Sequence, residues 1–242
     1  MTAADTMPPS APPFSYAFQP IIDANRGELY SYEALIRGVA GESAGSVFAA
    51  LGEADLHAFD QCSRSAAVRL AARLGIDCHL NLNLLPRSLR SSPEVIHSTL
   101  QAAHDCGLPT ERLIIEVTEG EVIDDQREFA EHIGVYRRYG LQVAIDDFGA
   151  GYSGLNLLAE FQPDIIKLDM QLVRDIAGNG PRQAIVRAVV QACVDLGIDV
   201  VAEGVESLAE YHWFRDEGVE LFQGYLFARP GFECLPPAHL PD

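Results

Sequence analysis

The feature that most constrains this chain is a change of period repeated along nearly its whole length: short β-rich apolar runs alternate with longer stretches of helical spacing. Strands separated by helices pair in parallel through crossovers, so the pattern indicates βα units around one sheet rather than a sandwich. Eight runs read as strands, at residues 16–22, 30–36, 78–83, 113–117, 142–145, 164–168, 199–202 and 219–222. Between the first two only Asp23-Ala-Asn-Arg-Gly-Glu28 intervenes. That is too short for a crossover helix, and those strands should form an antiparallel hairpin. The expected fold is α/β, a modified (β/α)8 TIM-type barrel with an antiparallel first strand. Helices are expected over 47–74, 93–106, 126–139, 154–160, 182–196 and 208–217, with Gly75, Gly107, Gly140, Gly197 and Gly218 as stops. At 242 residues and 48% hydrophobic, the chain suits one such barrel. Pro8, Pro9, Pro12 and Pro13 mark residues 1–13 as a disordered tail, leaving 14–242 as the domain.

Charge narrows the ligand class. A formal net charge of −18 offers no basic face for bulk DNA or RNA. A phosphate-bearing ligand would need metal cations or a few local arginines and lysines. The five cysteines, Cys62, Cys78, Cys106, Cys193 and Cys234, form no zinc-like spacing and leave one over. No stretch approaches the ~18 apolar residues of a membrane span, and no secretory leader is evident. A reduced, cytoplasmic compartment with no membrane partner is the expectation.

In a βα barrel the chemistry sits at the C-terminal ends of the strands. Polar residues fall there on seven consecutive strands: Glu33, Asn83, Glu116, Asp146 with Asp147, Lys167, Glu203 and Gln223. One strand-end carboxylate is ordinarily a helix cap or a solvated charge. Five of them at one mouth repel, so either some are protonated or cations hold them. An oxygen-rich set without Cys or His suits Mg²⁺ or Mn²⁺ rather than zinc. Two adjacent aspartates invite a two-metal arrangement in which one carboxylate bridges. Successive strand residues face opposite ways, so Asp147 should already lie in the following turn. Lys167, in Asp164-Ile-Ile-Lys-Leu-Asp169, should point into the mouth, where it would hold or polarise a water. The segment Asp147-Phe-Gly-Ala-Gly-Tyr-Ser-Gly154 is a glycine-dense loop, but neither a P-loop nor a Rossmann fingerprint.

With these residues in place, the chain resembles the EAL-domain phosphodiesterases that cleave cyclic di-GMP to linear pGpG. The motif stands as Glu33-Ala34-Leu35, extended to Ile36-Arg37-Gly38. A bare EAL is common by chance, and its company carries the specificity. That company is Gln19-Pro20-Ile21, Asn83-Leu-Leu-Pro86, Glu116-Val-Thr-Glu119, Asp146-Asp-Phe-Gly-Ala-Gly-Tyr-Ser153, Lys167-Leu-Asp169, Glu203-Gly-Val-Glu206 and Gln223-Gly-Tyr225. The resemblance implies that Glu33, Asn83, Glu116 and Asp146 bind one metal, and that Asp146 and Asp147 hold a second with Glu203 close by. Glu33, Lys167, Glu203 and Asp147 carry catalysis in this scheme, Lys167 positioning the attacking water. Arg37 would clamp a phosphate with its planar fork. Gln19, Leu35, Asp169 and Gln223 would line the ligand, while Glu119 and Glu206 brace the glycine loop. Leu85 and Gly154 replace serines that are common in the family; neither is a ligand position. Two Mg²⁺ or Mn²⁺ ions, cyclic di-GMP as ligand and a homodimer through the barrel follow as implications of the same resemblance.

Two other functions compete. A receptor would bind cyclic di-GMP without cleaving it and signal through protein partners. Family members of that kind usually lack a metal ligand, whereas every one stands here. A metal-dependent barrel lyase or enolising enzyme also uses strand-end carboxylates and a lysine. It does not account for Arg37 or for the doubled aspartate before the glycine loop.

Overall fold

In the computed structural model, residues 7–85, 93–118, 126–151, 158–159 and 162–241 are described. The barrel strands are β1 (Phe14–Asp23), β2 (Glu28–Gly38), β3 (His79–Asn83), β4 (Leu113–Thr118), β5 (Gln142–Phe148), β6 (Ile165–Leu168), β7 (Asp199–Ala202) and β8 (Leu221–Gln223). From β2 to β8 each strand pairs in parallel with the next. The ring closes through β1, which runs antiparallel to both β2 and β8. The hairpin at residues 23–28 therefore gives the barrel its irregular start, as the short connection requires. A further short strand, β9 (Gly231–Phe232), pairs antiparallel with β1 opposite Ala17 and Phe18.

The helices are α1 (Ala44–Ala49), α2 (Leu56–Arg73), α3 (His97–Cys106), α4 (Gln126–Arg138), α5 (Met170–Val173), α6 (Gly180–Leu196) and α7 (Leu208–Asp216). The single helix expected over 47–74 is two, because Gly52 sits at a turn where the Asp55 amide bonds the Gly52 carbonyl at 2.9 Å. Glycine costs about 1 kcal/mol inside a helix, so the break falls where propensity is weakest. A 3₁₀ turn, Pro93–Ile96, leads into α3. Of the helix expected over 154–160, only residues 158–159 are described. The five glycine stops all adopt positive φ, between 68° and 86°, a region where a Cβ is penalised. Residues 7–13 lie against the barrel: Met7 and Ala11 pack on the core and the Ser10 hydroxyl donates to Asp55.

Two apolar bodies hold the molecule together. Outward strand residues such as Phe18, Leu80, Ile115, Val143 and Ile166 meet the helices, including Phe59, Val68, Ala103 and Val190. Inside the ring, Ile21, Ile114, Ala144, Ile165, Val201 and Leu221 form a separate plug. Burying each large aliphatic side chain is worth ~1.5–3 kcal/mol. The plug fills the ring, and the polar residues that follow it on the same inward faces lie together at the C-terminal ends of the parallel strands. Among the described residues no helix is long and apolar enough to cross a membrane, and none of the five cysteines is in a disulfide.

Candidate functional site at the barrel mouth

Strand alternation positions the site. Two residues beyond each plug residue the same inward face continues, and there the sequence turns polar: Ile114 is followed by Glu116, Ala144 by Asp146, Ile165 by Lys167, Val201 by Glu203 and Leu221 by Gln223. On the antiparallel β1 the corresponding step runs backwards, from Ile21 to Gln19. Glu33 lies in register between Gln19 and Asn81 and completes the layer.

At the centre of this layer stands Lys167, 1% exposed. Its Nζ lies 2.7 Å from Glu203 Oε1, 2.8 Å from Glu116 Oε1, 3.0 Å from Asp146 Oδ1 and 3.3 Å from Glu33 Oε2. Amides fill in between the charges. Gln223 Nε2 donates to Glu33 Oε2 at 2.7 Å, Asn83 Nδ2 to Glu33 Oε1 at 3.2 Å, and Asn81 Nδ2 to Glu116 Oε1 at 2.8 Å. Gln223 also reaches Gln19 Oε1 at 3.4 Å, and Gln19 donates to the Ala228 carbonyl.

One ammonium cannot satisfy four carboxylates, and they divide accordingly. Burial pushes Glu33 upward, but Lys167 and the Gln223 and Asn83 amides outweigh it and hold the group below its ordinary value. Glu116 is pushed up to about 8 by burial, against the pull of Lys167 and with repulsion from Glu33 and Asp146. Burial likewise holds Glu203 well above the carboxylate range. Lys167 loses charge stability by burial, yet the surrounding carboxylates raise it well above an ordinary lysine. The site on its own thus takes up protons to relieve its repulsion.

Asp147 corrects the expected geometry. It does not lie in a turn after β5; it is inside the strand, in a bulge where the β5–β6 register shifts between Ile145 and Phe148, with φ of 53°. The extra residue breaks the alternation, so neighbouring aspartates border one mouth. Partial burial, then Asp146 and Asp169, raise Asp147 to about 6. Beyond the bulge the chain passes tightly over α5: a Cβ on Gly149, at φ +95°, would meet Leu172 Cδ1 at 2.3 Å.

Two cavities open from the ring. One, of about 440 Å³, includes Gln19, Asp147, Asp169, Glu206 and Gln223; the other, of about 330 Å³, includes Leu35, Arg37, Asn83 and Leu85. Glu33, Asp146 and Asp147 line both. Asp169 also caps α5, accepting from the Gln171 amide at 2.8 Å. Glu206 pairs with Arg174 at 3.4 Å. Glu119 and residues 152–154 of the glycine loop lie outside the described residues. Two contributors escaped sequence reading. Asn81 shares the inward face of Asn83, a period-two signal that the focus on strand ends passed over. Glu210 completes a capping box with Ser207 and accepts the amides of Asp175, Glu206 and Ser207 at 2.9–3.0 Å. Its signal is the Ser-x-x-Glu spacing that opens α7.

The oxygen donors fit hard cations. Glu33, Glu116 and Asp146 each place an oxygen within 4.8 Å of the others, as do Asp146, Asp147 and Glu203, so the triads share Asp146. Glu116 Oε2 and Asp146 Oδ1 are buried without a hydrogen-bond partner, the latter although Lys167 is near. Buried oxygens lacking donors suit a cation that accepts their lone pairs.

A model of the EAL domain matches residues 7–230. The chain belongs to the EAL domain family. Among curated relatives, this EAL domain is 35% identical over 228 residues to the blue light- and temperature-regulated antirepressor BluF of Escherichia coli. That match takes in 94% of the chain but 57% of BluF, so the chain spans just over half of that relative. Among solved structures it resembles a standalone EAL protein of Vibrio cholerae O395 in its c-di-GMP-bound form. The two are 45% identical with a TM-score of 0.89, covering 93% of this chain and 95% of that one. It is similar at 43% identity and TM-score 0.89 to Klebsiella pneumoniae BlrP1 in a manganese/cy-diGMP complex, covering 97% of this chain and 60% of BlrP1.

Proposed function

We propose that this EAL domain hydrolyses cyclic di-GMP to linear pGpG with two Mg²⁺ or Mn²⁺ ions. The observation that carries the proposal is the pair of carboxylate triads sharing Asp146 at the barrel mouth. Glu33, Asn83, Glu116 and Asp146 would hold one ion, and Asp146, Asp147 and Glu203 the other. The charges agree: five ionised carboxylates against the single Lys167 ammonium leave a net charge of minus four, which two dications cancel. When bound, such ions lower the pKa of water and neutralise charge on phosphate oxygens. With both present, an acidic chain receives an anionic substrate without a basic surface.

The protein's own groups do the rest. Asn83 spends its Nδ2 on Glu33, which leaves its carbonyl oxygen for a cation. Lys167 Nζ and Glu203 Oε1, 2.7 Å apart, set a donor beside an acceptor and hold the attacking water. The water oxygen bonds to one phosphorus as that phosphorus releases its 3′ oxygen, so the phosphate stays on the 5′ side, as in pGpG. A water proton passes to a ring carboxylate, and the departing 3′ oxygen takes up a proton to leave as the hydroxyl. Arg37 clamps a phosphate, while Gln19, Leu35, Asp169 and Gln223 line the ligand. Glu206 braces the glycine loop.

The likeness to an antirepressor favours a second reading, a cyclic di-GMP receptor that acts through a protein partner. The complete set of oxygen donors supports hydrolysis over it. Incubation of the purified chain with cyclic di-GMP and Mn²⁺ or Mg²⁺, followed by chromatography, separates the two. Accumulating pGpG supports the enzyme; tight binding with no turnover in either metal supports the receptor.

A further inference from the structure

Asn81 lies just below the ring of charges, and the proposed chemistry gives it no part. It is 1% exposed on β3, with Glu33 and Ile114 as its partners on the flanking strands, two residues before Asn83 on the same inward face. It borders neither cavity of the mouth, so a substrate there does not reach it. Its amide nitrogen donates to Glu116 Oε1 at 2.8 Å, while its own carbonyl oxygen is buried without a partner. Turning the amide over would set that oxygen against Glu116 Oε1, which Lys167 Nζ also approaches at 2.8 Å, so the contact fixes the amide one way round.

A residue held like this adds little to folding. A hydrogen bond to a charged group and the lost hydration of a stranded carbonyl are similar in size and opposite in sign. A leucine of similar shape would strand no polar atom of its own, and Glu116 Oε1 would keep Lys167.

What Asn81 does supply is direction. Lys167 has three ammonium protons for four carboxylates at 2.7–3.3 Å, so it cannot fix the rotation of each. Glu33 is oriented by amides on both oxygens, Asn83 on Oε1 and Gln223 on Oε2. Glu116 has the Asn81 amide on Oε1, and its Oε2 is buried without a hydrogen-bond partner. That leaves Oε2 as the free oxygen of the residue that forms a triad with Glu33 and Asp146. Resting on the proposed two-ion chemistry, we propose that Asn81 is a positioning residue: it holds Glu116 so that Oε2 is offered to the cation, and it serves metal affinity rather than stability. Partners behind a metal ligand typically carry roughly 10- to 100-fold in affinity or activity.

Calorimetric titration of Mn²⁺ at pH 8 into metal-free wild type, N81L and N81A, beside urea unfolding of the same samples, tests this without turnover. The Mn²⁺ concentration that half-saturates the protein should rise roughly 10- to 100-fold in both variants. The metal-free unfolding midpoint of N81L should stay at or above that of wild type. Kinetics give a second reading: turnover at saturating cyclic di-GMP should recover as Mn²⁺ is raised, with KM for cyclic di-GMP unchanged. Wild-type Mn²⁺ affinity in either variant overturns the proposal, and with a lowered midpoint it marks the bond as one that only supports the fold. A raised KM for cyclic di-GMP at saturating Mn²⁺ overturns it too. A wild-type chain that binds Mn²⁺, with the expected loss in N81L, yet yields no pGpG overturns the hydrolysis and leaves the role of Asn81 standing.

Discussion

Replacing Lys167 by methionine removes the single positive charge among the ring carboxylates while keeping most of the side chain's length. In the wild type, Nζ faces four carboxylate oxygens at 2.7–3.3 Å. Each such pair attracts by roughly 5 kcal/mol at an effective dielectric constant near 20, before the cost of desolvation. Removing one partner of a buried ion pair typically costs ~3–5 kcal/mol, because the remaining charge is left uncompensated. For a domain of this size that lowers Tm by ~6–20 °C. The cost should depend on pH with a definite sign. Lys167 is raised above the ordinary lysine range, so its contribution is complete below that range and constant between pH 5.5 and 8. The carboxylates of the variant are buried without a cation, and their folded pKa values rise above the unfolded ones. They gain protons in acid at little expense and lose stability as pH rises. Urea unfolding of metal-free K167M should therefore fall furthest below wild type at pH 8 and approach it at pH 5.5. Mn²⁺ should restore more stability to the variant than it adds to the wild type. A variant within 1 kcal/mol of wild type at pH 8, or one hurt more at pH 5.5, would refute the account of the ring as carboxylates held by cation charge.

Other outcomes follow from the same structure. Mn²⁺ affinity measured by calorimetry should strengthen from pH 6 to pH 8 with proton release, because Glu116 near 8 and Asp147 near 6 must give up protons to accept a cation; a pH-independent affinity would contradict it. E210Q should cost ~1–3 kcal/mol in urea unfolding at pH 7, since a buried carboxylate accepting three amides is replaced by a neutral group. Those amides outweigh burial and depress the Glu210 pKa, so its contribution is present above the unfolded value and lost as pH falls through the folded one. The gap between E210Q and wild type should narrow in acid. Arg64 and Asp60 form a buried ion pair that also receives the Leu85 amide at 3.3 Å. R64M alone should cost ~3–5 kcal/mol, and the double variant R64M/D60L less than the sum of the singles.

How far the site was legible depends on the range of the interactions that build it. Glu116, Asp146, Lys167, Glu203 and Gln223 could be read directly, because each follows an apolar strand residue at a spacing of two and so inherits its inward face. The barrel and its hairpin start were readable from run lengths alone. Asp147 was placed in the wrong local structure because a bulge is set by register with β6, which no property of Asp-Asp reports. Gly52 divides a helix that amphipathic spacing had joined, since periodicity persists across a turn that composition marks weakly. The Asp60–Arg64 pair sits at the i, i+4 spacing of an exposed helical ion pair, and only the packing of α2 reveals it as buried. The one-turn α5 and two-residue β9 are too short to carry a period at all.

The central claim, that water opens the ring at a phosphate held by cations that this set of acids binds, is tested most directly by turnover in H₂¹⁸O. Wild-type chain with Mn²⁺ and cyclic di-GMP should yield pGpG carrying one ¹⁸O in its terminal 5′-phosphate by mass spectrometry, and E33A should yield none above background. Recovery of intact cyclic di-GMP from saturated wild-type protein, or equal pGpG from E33A, would contradict it.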